Sequence, residues 1–161
     1  MANGQELVVG ELARSLDERH RISIPQELLA PLAPADATCI LAKERPGCLS
    51  LWDAGRWHER VDKRMNLFKD KILADTLKDK IDEVQLLGRL LSTRHRTVKI
   101  AGRGRLLVPE GFREFLGVEP GDEVLVVGAA ICIELWRPDA WLAYLEKRIP
   151  RFNRLFNKLS G

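Results

Sequence analysis

The chain repeats itself. Leu16–Pro25 (LDERHRISIP) resembles Ile100–Pro109 (IAGRGRLLVP), a shift of 84 positions. The same shift, without a gap, lays Arg19 on Arg103, Arg21 on Arg105, Pro25 on Pro109, Leu41 on Leu125 and Cys48 on Cys132. It continues through Trp52 on Trp136, Trp57 on Trp141, Lys63 on Lys147 and Arg64 on Arg148. Two tryptophans landing together is not a chance match. A chain of 161 residues has room for about one ordinary domain, so each copy is a half-domain. Two copies are too few for a solenoid, which leaves pairing about a pseudo-two-fold axis.

Each copy reads as a short strand, a short helix and a strand pair. The first strand, Arg21–Ile24 or Arg105–Val108, ends at a proline, which removes the next backbone donor and favours a turn or first helical turn. In the second copy a helix over Glu110–Leu116 stops at Gly117, and Glu119-Pro120-Gly121-Asp122 is a turn signal. Strands Glu123–Val127 and Ile131–Trp136 follow, rich in β-formers. The first copy matches with Thr38–Ala42, a Pro46-Gly47 turn and Cys48–Trp52. The chain therefore divides into a half-domain over 1–61, a helical connector over 62–92, a second half-domain over 93–148 and a basic amphipathic tail over 149–161. In the connector, Trp57, Val61, Met65, Phe68, Ile72 and Val84 recur at helical spacing, a stripe expected to pack in the core or against another subunit. Pro150 should interrupt the helical pattern of the tail.

Charge is unevenly placed. The net +3 is too small to point to a polyanion, but Val84–Pro109 contains no acidic residue while carrying Arg89, Arg94, Arg96, Lys99, Arg103 and Arg105. Lys147–Gly161 is also acid-free and basic. Such runs are often only solvated faces. Cys39, Cys48 and Cys132 are odd in number and form no C-x-x-C pair, so neither a disulfide framework nor a zinc knuckle is indicated; small buried hydrophobes fit better, in a reducing cytoplasm. No export signal or apolar run of about 18 residues is present, so a soluble protein without membrane contact is expected.

The strongest candidate site is the doubled Arg-x-Arg, Arg19-His20-Arg21 and Arg103-Gly104-Arg105, each just ahead of a strand. Guanidinium groups bind phosphate bidentately and read guanine edges, so two such loops related by pseudosymmetry can straddle one groove of double-stranded DNA. Arg14 and Lys99, shortly upstream of the two loops, complete the candidate DNA-binding set. Catalysis has no comparable support. His20, His58 and His95 lack metalloprotease spacing, no Cys–His signature or phosphate loop exists, and no metal or cofactor site is indicated.

Taken together these motifs resemble the MraZ family, two-repeat relatives of the AbrB-type regulators. Asp17 and Arg21 fit its D-x-x-x-R motif, and Gly47-Cys48-Leu49 with Trp52 and Trp57 its G-C-L segment. Gly104-Arg105-Leu106-Leu107-Val108-Pro109, Arg113-Glu114-Phe115 and Glu134-Leu135-Trp136 resemble its second-copy elements. The resemblance implies a mainly β fold with helices, a swapped-hairpin, double-split β-barrel made by the two halves of one chain. It also implies a ring-like homo-oligomer, no cofactor or small-molecule substrate, and a nucleoid-associated repressor of division and cell-wall genes that binds repeated promoter boxes. Two positions depart from the pattern: His20 replaces a glycine, and Ala101 replaces the aspartate of the second motif. An aspartate there orients the following arginine or closes a turn, so repeat one is expected to carry more of the recognition, with Asp17 and Gly104 as the shaping residues. A competing reading without DNA specificity is an oligomeric interaction module whose arginines pair with carboxylates of a neighbouring subunit.

Overall fold

The computed structural model describes residues 6–33 and 38–161. The first half supplies β1 (Val8–Ser15), β2 (Arg21–Ser23), α1 (Gln26–Leu32), β3 (Thr38–Arg45) and β4 (Cys48–Asp53). The connector consists of α2 (Ala54–Leu73) and α3 (Ile81–Thr93). The second half supplies β5 (His95–Lys99), β6 (Arg105–Leu107), α4 (Phe112–Leu116), β7 (Glu123–Ala130) and β8 (Ile133–Trp136), followed by α5 (Pro138–Arg148) and α6 (Phe152–Ser160).

The strands are shared between the halves. A six-stranded antiparallel sheet runs in the order β1-β7-β8-β4-β3-β5, and β2 pairs with β6 in a separate ribbon. Strand β1 pairs along its whole length with β7 of the other half, from Val8 opposite Ala130 to Ser15 opposite Glu123. In return, β5 pairs with β3. Exchanging the two halves reproduces the same strand order in reverse, so a pseudo-two-fold axis lies between β4 and β8. Two repeat-equivalent pairs sit on that axis: Ser50 opposite Glu134 in the sheet, and Ile22 opposite Leu106 in the ribbon.

Both faces of the central strands are covered, which is why they read as nearly continuous apolar runs. On one face Leu49, Leu51, Ile133 and Leu135 join Ile22, Leu106, Leu28 and Phe112 in a single core that reaches under the ribbon. On the other, Trp52 and Trp136 pack beneath the first turns of α2 and α5, each against a second tryptophan: Trp57 at 5.7 Å and Trp141 at 5.1 Å between ring centroids. Their indoles donate to repeat-equivalent partners, Trp52 Nε1 to Ser50 Oγ and Trp136 Nε1 to Glu134 Oε1, both at 2.9 Å. The tryptophan coincidence seen in the sequence is thus one local design used twice. All three cysteines are buried; desolvation pushes the Cys39 thiol up to about 11 and the Cys132 thiol to about 12, so they stay protonated and serve as packing.

Several expectations need revision. The gapless shift holds at both ends of the repeat but not in β3. There Leu41 faces Arg96 of β5 as Val126 faces Leu12 of β1, so its counterpart is Val126, not Leu125. A bulge between Lys43 and Arg45 adds one residue to the first copy, and one extra residue ahead of β7 cancels it; the alignment cannot see two compensating insertions. Helix α4 begins at Phe112 rather than Glu110, because Gly111 has a φ of 85° and breaks the helical path. Strand β7 runs on to Ala130 and β8 starts only at Ile133, since the hairpin turns at Ala130, whose φ is 67°. Strand β3 likewise runs past Ala42 to Arg45. The chain is mixed α/β rather than mainly β, because α2, α3, α5 and α6 make helical residues outnumber strand residues. Pro150 does interrupt the tail, in a 3₁₀ turn over Ile149–Arg151.

Leu49, fully buried where the two halves meet, tests the shared core. Leu49→Ala should cost about 2–5 kcal/mol in urea unfolding, whereas Leu107→Ala on the exposed face of the ribbon should stay within about 0.5 kcal/mol.

Candidate nucleic-acid interface

The ribbon displays what the sequence singled out. Its inner residues, Ile22 and Leu106, are buried, and alternation along a strand therefore turns Arg21, Ser23, Arg105 and Leu107 to the outer face. Arg21 lies opposite Leu107, and Ser23 opposite Arg105, so the two arginines occupy diagonal corners related by the pseudo-axis. The strands are antiparallel, which puts the two turns that precede them, with Arg19 and Arg103, at opposite ends of the ribbon.

Loop one is held by a side chain. Asp17 Oδ1 accepts from the amides of Arg19 at 2.8 Å and Arg21 at 2.9 Å, and Asp17 Oδ2 accepts from Arg21 Nε at 3.0 Å. The amide of Asp17 in turn donates to the Arg21 carbonyl at 2.9 Å. The Arg21 amide, with the Arg19 amide and the Arg21 guanidinium behind it, holds the Asp17 carboxyl below its ordinary value.

Loop two is held by main chain. The Ala101 amide donates to the Arg105 carbonyl at 2.8 Å, and the Ala101 carbonyl accepts from the amides of Gly104 at 3.1 Å and Arg105 at 3.2 Å. The missing aspartate therefore leaves the turn closed but the arginines without an anchor. Among the described residues no carboxylate pairs with Arg19, Arg103 or Arg105.

The two loops are also tied to each other's halves. The Ile24 amide donates to the Gly104 carbonyl at 2.7 Å, and its repeat-equivalent, the Val108 amide, donates to the His20 carbonyl at 2.9 Å. Both acceptors have left-handed backbone, His20 at φ 58° and Gly104 at φ 73°. At Gly104 a Cβ would meet the Ile24 carbonyl oxygen at 2.4 Å, so this copy requires glycine. These reciprocal bonds, which fix the loops to the ribbon, carried no sequence signal beyond the glycine itself.

The remaining candidates are not on the ribbon. Arg14 and Lys99 lie near the ends of β1 and β5, the two edge strands of the sheet. Arg14 is half-buried and donates to the Ala13 carbonyl at 2.9 Å; Lys99 is exposed. The acid-free strip is also dispersed. Arg94 donates through Nε and Nη2 to the Lys43 carbonyl and through Nη2 to that of Glu44, Arg96 lies over the Phe112 ring, and only Arg103 and Arg105 reach the ribbon face or its end. Among the described residues no cluster of three metal-ligating side chains forms, and no helix is long and apolar enough to cross a membrane.

Comparison with known proteins places this arrangement. A family model described as "MraZ protein, putative antitoxin-like" matches residues 93–158. The transcriptional regulator MraZ of Methylobacillus flagellatus is 30% identical over 139 residues, spanning 86% of both chains. The chain belongs to the MraZ family. Its likeness to the transcriptional regulators MraZ of Treponema denticola, 26% identical over 91% of this chain and 92% of the other, and of Thermus thermophilus, 27% identical over 86% and 87%, covers both copies of the repeat. One solved structure, the solution structure of PHS018 from Pyrococcus horikoshii, overlaps it only loosely, with a TM-score of 0.32 and 10% identity over 82% of this chain and 91% of that one. Within the MraZ family pattern, the departure at Ala101 keeps the main-chain closure that both loops share and removes the side-chain clamp from loop two, and the departure at His20 leaves the left-handed turn of loop one in place.

A carboxylate whose folded pKa is depressed contributes stability above its unfolded pKa and loses it as the pH falls through the folded value. The clamp on loop one should therefore survive mild acid. The amide resonances of Arg19 and Arg21 should shift together in a titration with a midpoint below 3.8, the ordinary value for Asp17; a midpoint at or above it would mean that the clamp is absent in solution.

Proposed function

We propose that this chain is a sequence-specific DNA-binding transcriptional regulator, and not an enzyme, that lays the outer face of the β2–β6 ribbon against double-stranded DNA. The observation that carries this reading is the set of four arginines at the corners and ends of a two-stranded ribbon, three of them without a carboxylate partner among the described residues. A two-stranded ribbon fits the major groove of B-DNA, and guanidinium groups there take phosphates or guanine edges. The two half-domains, 1–61 and 93–148, form the walls of a swapped-hairpin barrel beneath that ribbon; the common core of ribbon and sheet residues supports this. Arg14 and Lys99 add cationic charge at the flanks, as phosphate contacts at most.

The family relation supports a repressor in the nucleoid-associated cytoplasm that binds repeated promoter boxes of division and cell-wall genes as a ring-like oligomer, with no cofactor or small-molecule substrate. Several weak ribbon contacts along repeated boxes would add up through effective concentration. Recognition is unequal between the copies, because Asp17 pre-orients Arg21 whereas Arg105 has no such partner among the described residues.

Arg19→Ala with Arg21→Ala should weaken operator binding more than Arg103→Ala with Arg105→Ala, and both doubles should keep their fold. Each lost phosphate contact should reduce the slope of log affinity against log salt by about one, and a lost bidentate base contact should cost about 1–3 kcal/mol and relax sequence preference. Gel shifts in a salt series measure both. A folded loop-one double with undiminished operator affinity would overturn the ribbon mechanism in favour of the interaction module.

A further inference from the structure

The outer face of the ribbon is not symmetric. Its inner pair, Ile22 and Leu106, lies on the pseudo-axis, and the four outward residues form two cross-strand pairs, Arg21 with Leu107 and Ser23 with Arg105. The shift of 84 lays Arg21 on Arg105 and Ser23 on Leu107, so the axis carries one corner onto the other but exchanges a leucine for a serine. Leu107 is 52% exposed, on a face whose other members are charged or polar. Its apolar surface is left open at the centre of the face proposed to meet DNA.

Leu107 is also the closest cross-strand neighbour of Arg21. The bonds from the Ile24 amide to the Gly104 carbonyl and from the Val108 amide to the His20 carbonyl mark 24/104 and 20/108 as hydrogen-bonded pairs. Such pairs alternate along an antiparallel ladder, which makes Arg21/Leu107 and Ser23/Arg105 the non-hydrogen-bonded pairs, with Cα atoms about 4.5 Å apart and side chains at their closest. Asp17 holds the Arg21 guanidinium through Nε, at 3.0 Å, which leaves Nη1 and Nη2 to meet a ligand. Successive bases along a strand of duplex DNA are about 3.4 Å apart, so two side chains at this spacing address one base pair or its neighbour.

In the major groove guanine offers the N7 and O6 acceptors, and thymine offers a C5-methyl group. A guanidinium takes the first and a leucine the second. A serine at the equivalent place offers a hydroxyl, which pairs with several base edges and selects none of them. We infer that Leu107 is a specificity-determining residue: it packs on the C5-methyl group of a thymine within one base pair of the guanine that Arg21 reads. The Arg21–Leu107 corner then selects thymine beside guanine, whereas the Arg105–Ser23 corner makes no methyl contact. This rests on the ribbon reading above and adds to it a base selected by a residue outside the arginine loops.

The test uses the full chain and a duplex carrying the box that it selects from a pool of random sequences. Each thymine of that box is replaced in turn by deoxyuridine, which lacks the C5-methyl group, and each guanine by 7-deazaguanine, which lacks the N7 acceptor. In gel shifts the unaltered chain should lose about fourfold in affinity at one thymine, the factor for one methyl group taken out of water. That thymine should lie within one base pair of the guanine whose 7-deaza replacement weakens the unaltered chain but not Arg21→Ala. Leu107→Ala, at an exposed position and with an unchanged circular dichroism melt, should bind the intact box about fourfold or more weakly and no longer distinguish thymine from deoxyuridine. Its slope of log affinity against log salt should match that of the unaltered chain, because an apolar contact releases no counterions. A box with no thymine at that place, a deoxyuridine series without effect on the unaltered chain, or a thymine dependence that persists in Leu107→Ala would overturn the assignment and leave the arginine reading standing. A pool that yields no preferred sequence, or a folded double variant of Arg19→Ala with Arg21→Ala that binds undiminished, would overturn the ribbon reading and this inference with it.

Discussion

The pairing of β1 with β7, and of β5 with β3, is the constraint on which the rest of the molecule depends. Each half-domain gives its first strand to the edge of the other, so neither can complete a sheet or close a core alone. The exchange brings β4 and β8 together at the pseudo-axis, and it delivers β2 and β6 as neighbours at the far end of the same axis. The ribbon is thus a product of the exchange: each half supplies one strand, one turn and one pair of arginines. The reciprocal bonds from Ile24 to Gly104 and from Val108 to His20 then fix each turn to the strand of the other half.

That construction makes the two loops equivalent in position without making them equivalent in stiffness. Loop one spends its aspartate on two amides and a guanidinium; loop two closes on main-chain bonds and leaves Arg105 free to seek a partner. In a groove lined by phosphates and base edges, a pre-oriented guanidinium loses less freedom on binding than a mobile one. Under the proposed ribbon mechanism, Asp17 against Ala101 gives the pseudo-symmetric ribbon one clamped and one unclamped corner.

Much of this was legible in the sequence because the repeat imposes it. The doubled Arg-x-Arg, the tryptophan pairs and the prolines after the first strands each recur at one offset, and each has one structural role used twice. What was hidden is also instructive. The slip in β3 is invisible because a bulge residue and a turn residue cancel. The start of α4 was misread because Gly111 lies in the left-handed region, where a glycine leaves no trace in hydrophobic periodicity. The basic strip looked like one surface, yet Arg94 and Arg96 are consumed by carbonyls and an aromatic ring, since a strand and a turn separate them from Arg103 and Arg105 in space. The helical stripe of the connector was expected to find either the core or another subunit; within the chain Trp57, at its start, packs on the core, while α2 and α3 contribute no fully buried residue.

The central claim is that the ribbon face reads DNA. Arginine Nε resonances of the full chain, followed by NMR as an operator duplex is added, test it most directly. The ribbon mechanism requires Arg19, Arg21, Arg103 and Arg105 to shift first and furthest, with Arg21 and Arg19 showing the larger changes at low duplex ratio. Shifts confined to Arg148, Arg151 and Arg154 of the tail, with the ribbon arginines unmoved, would contradict it.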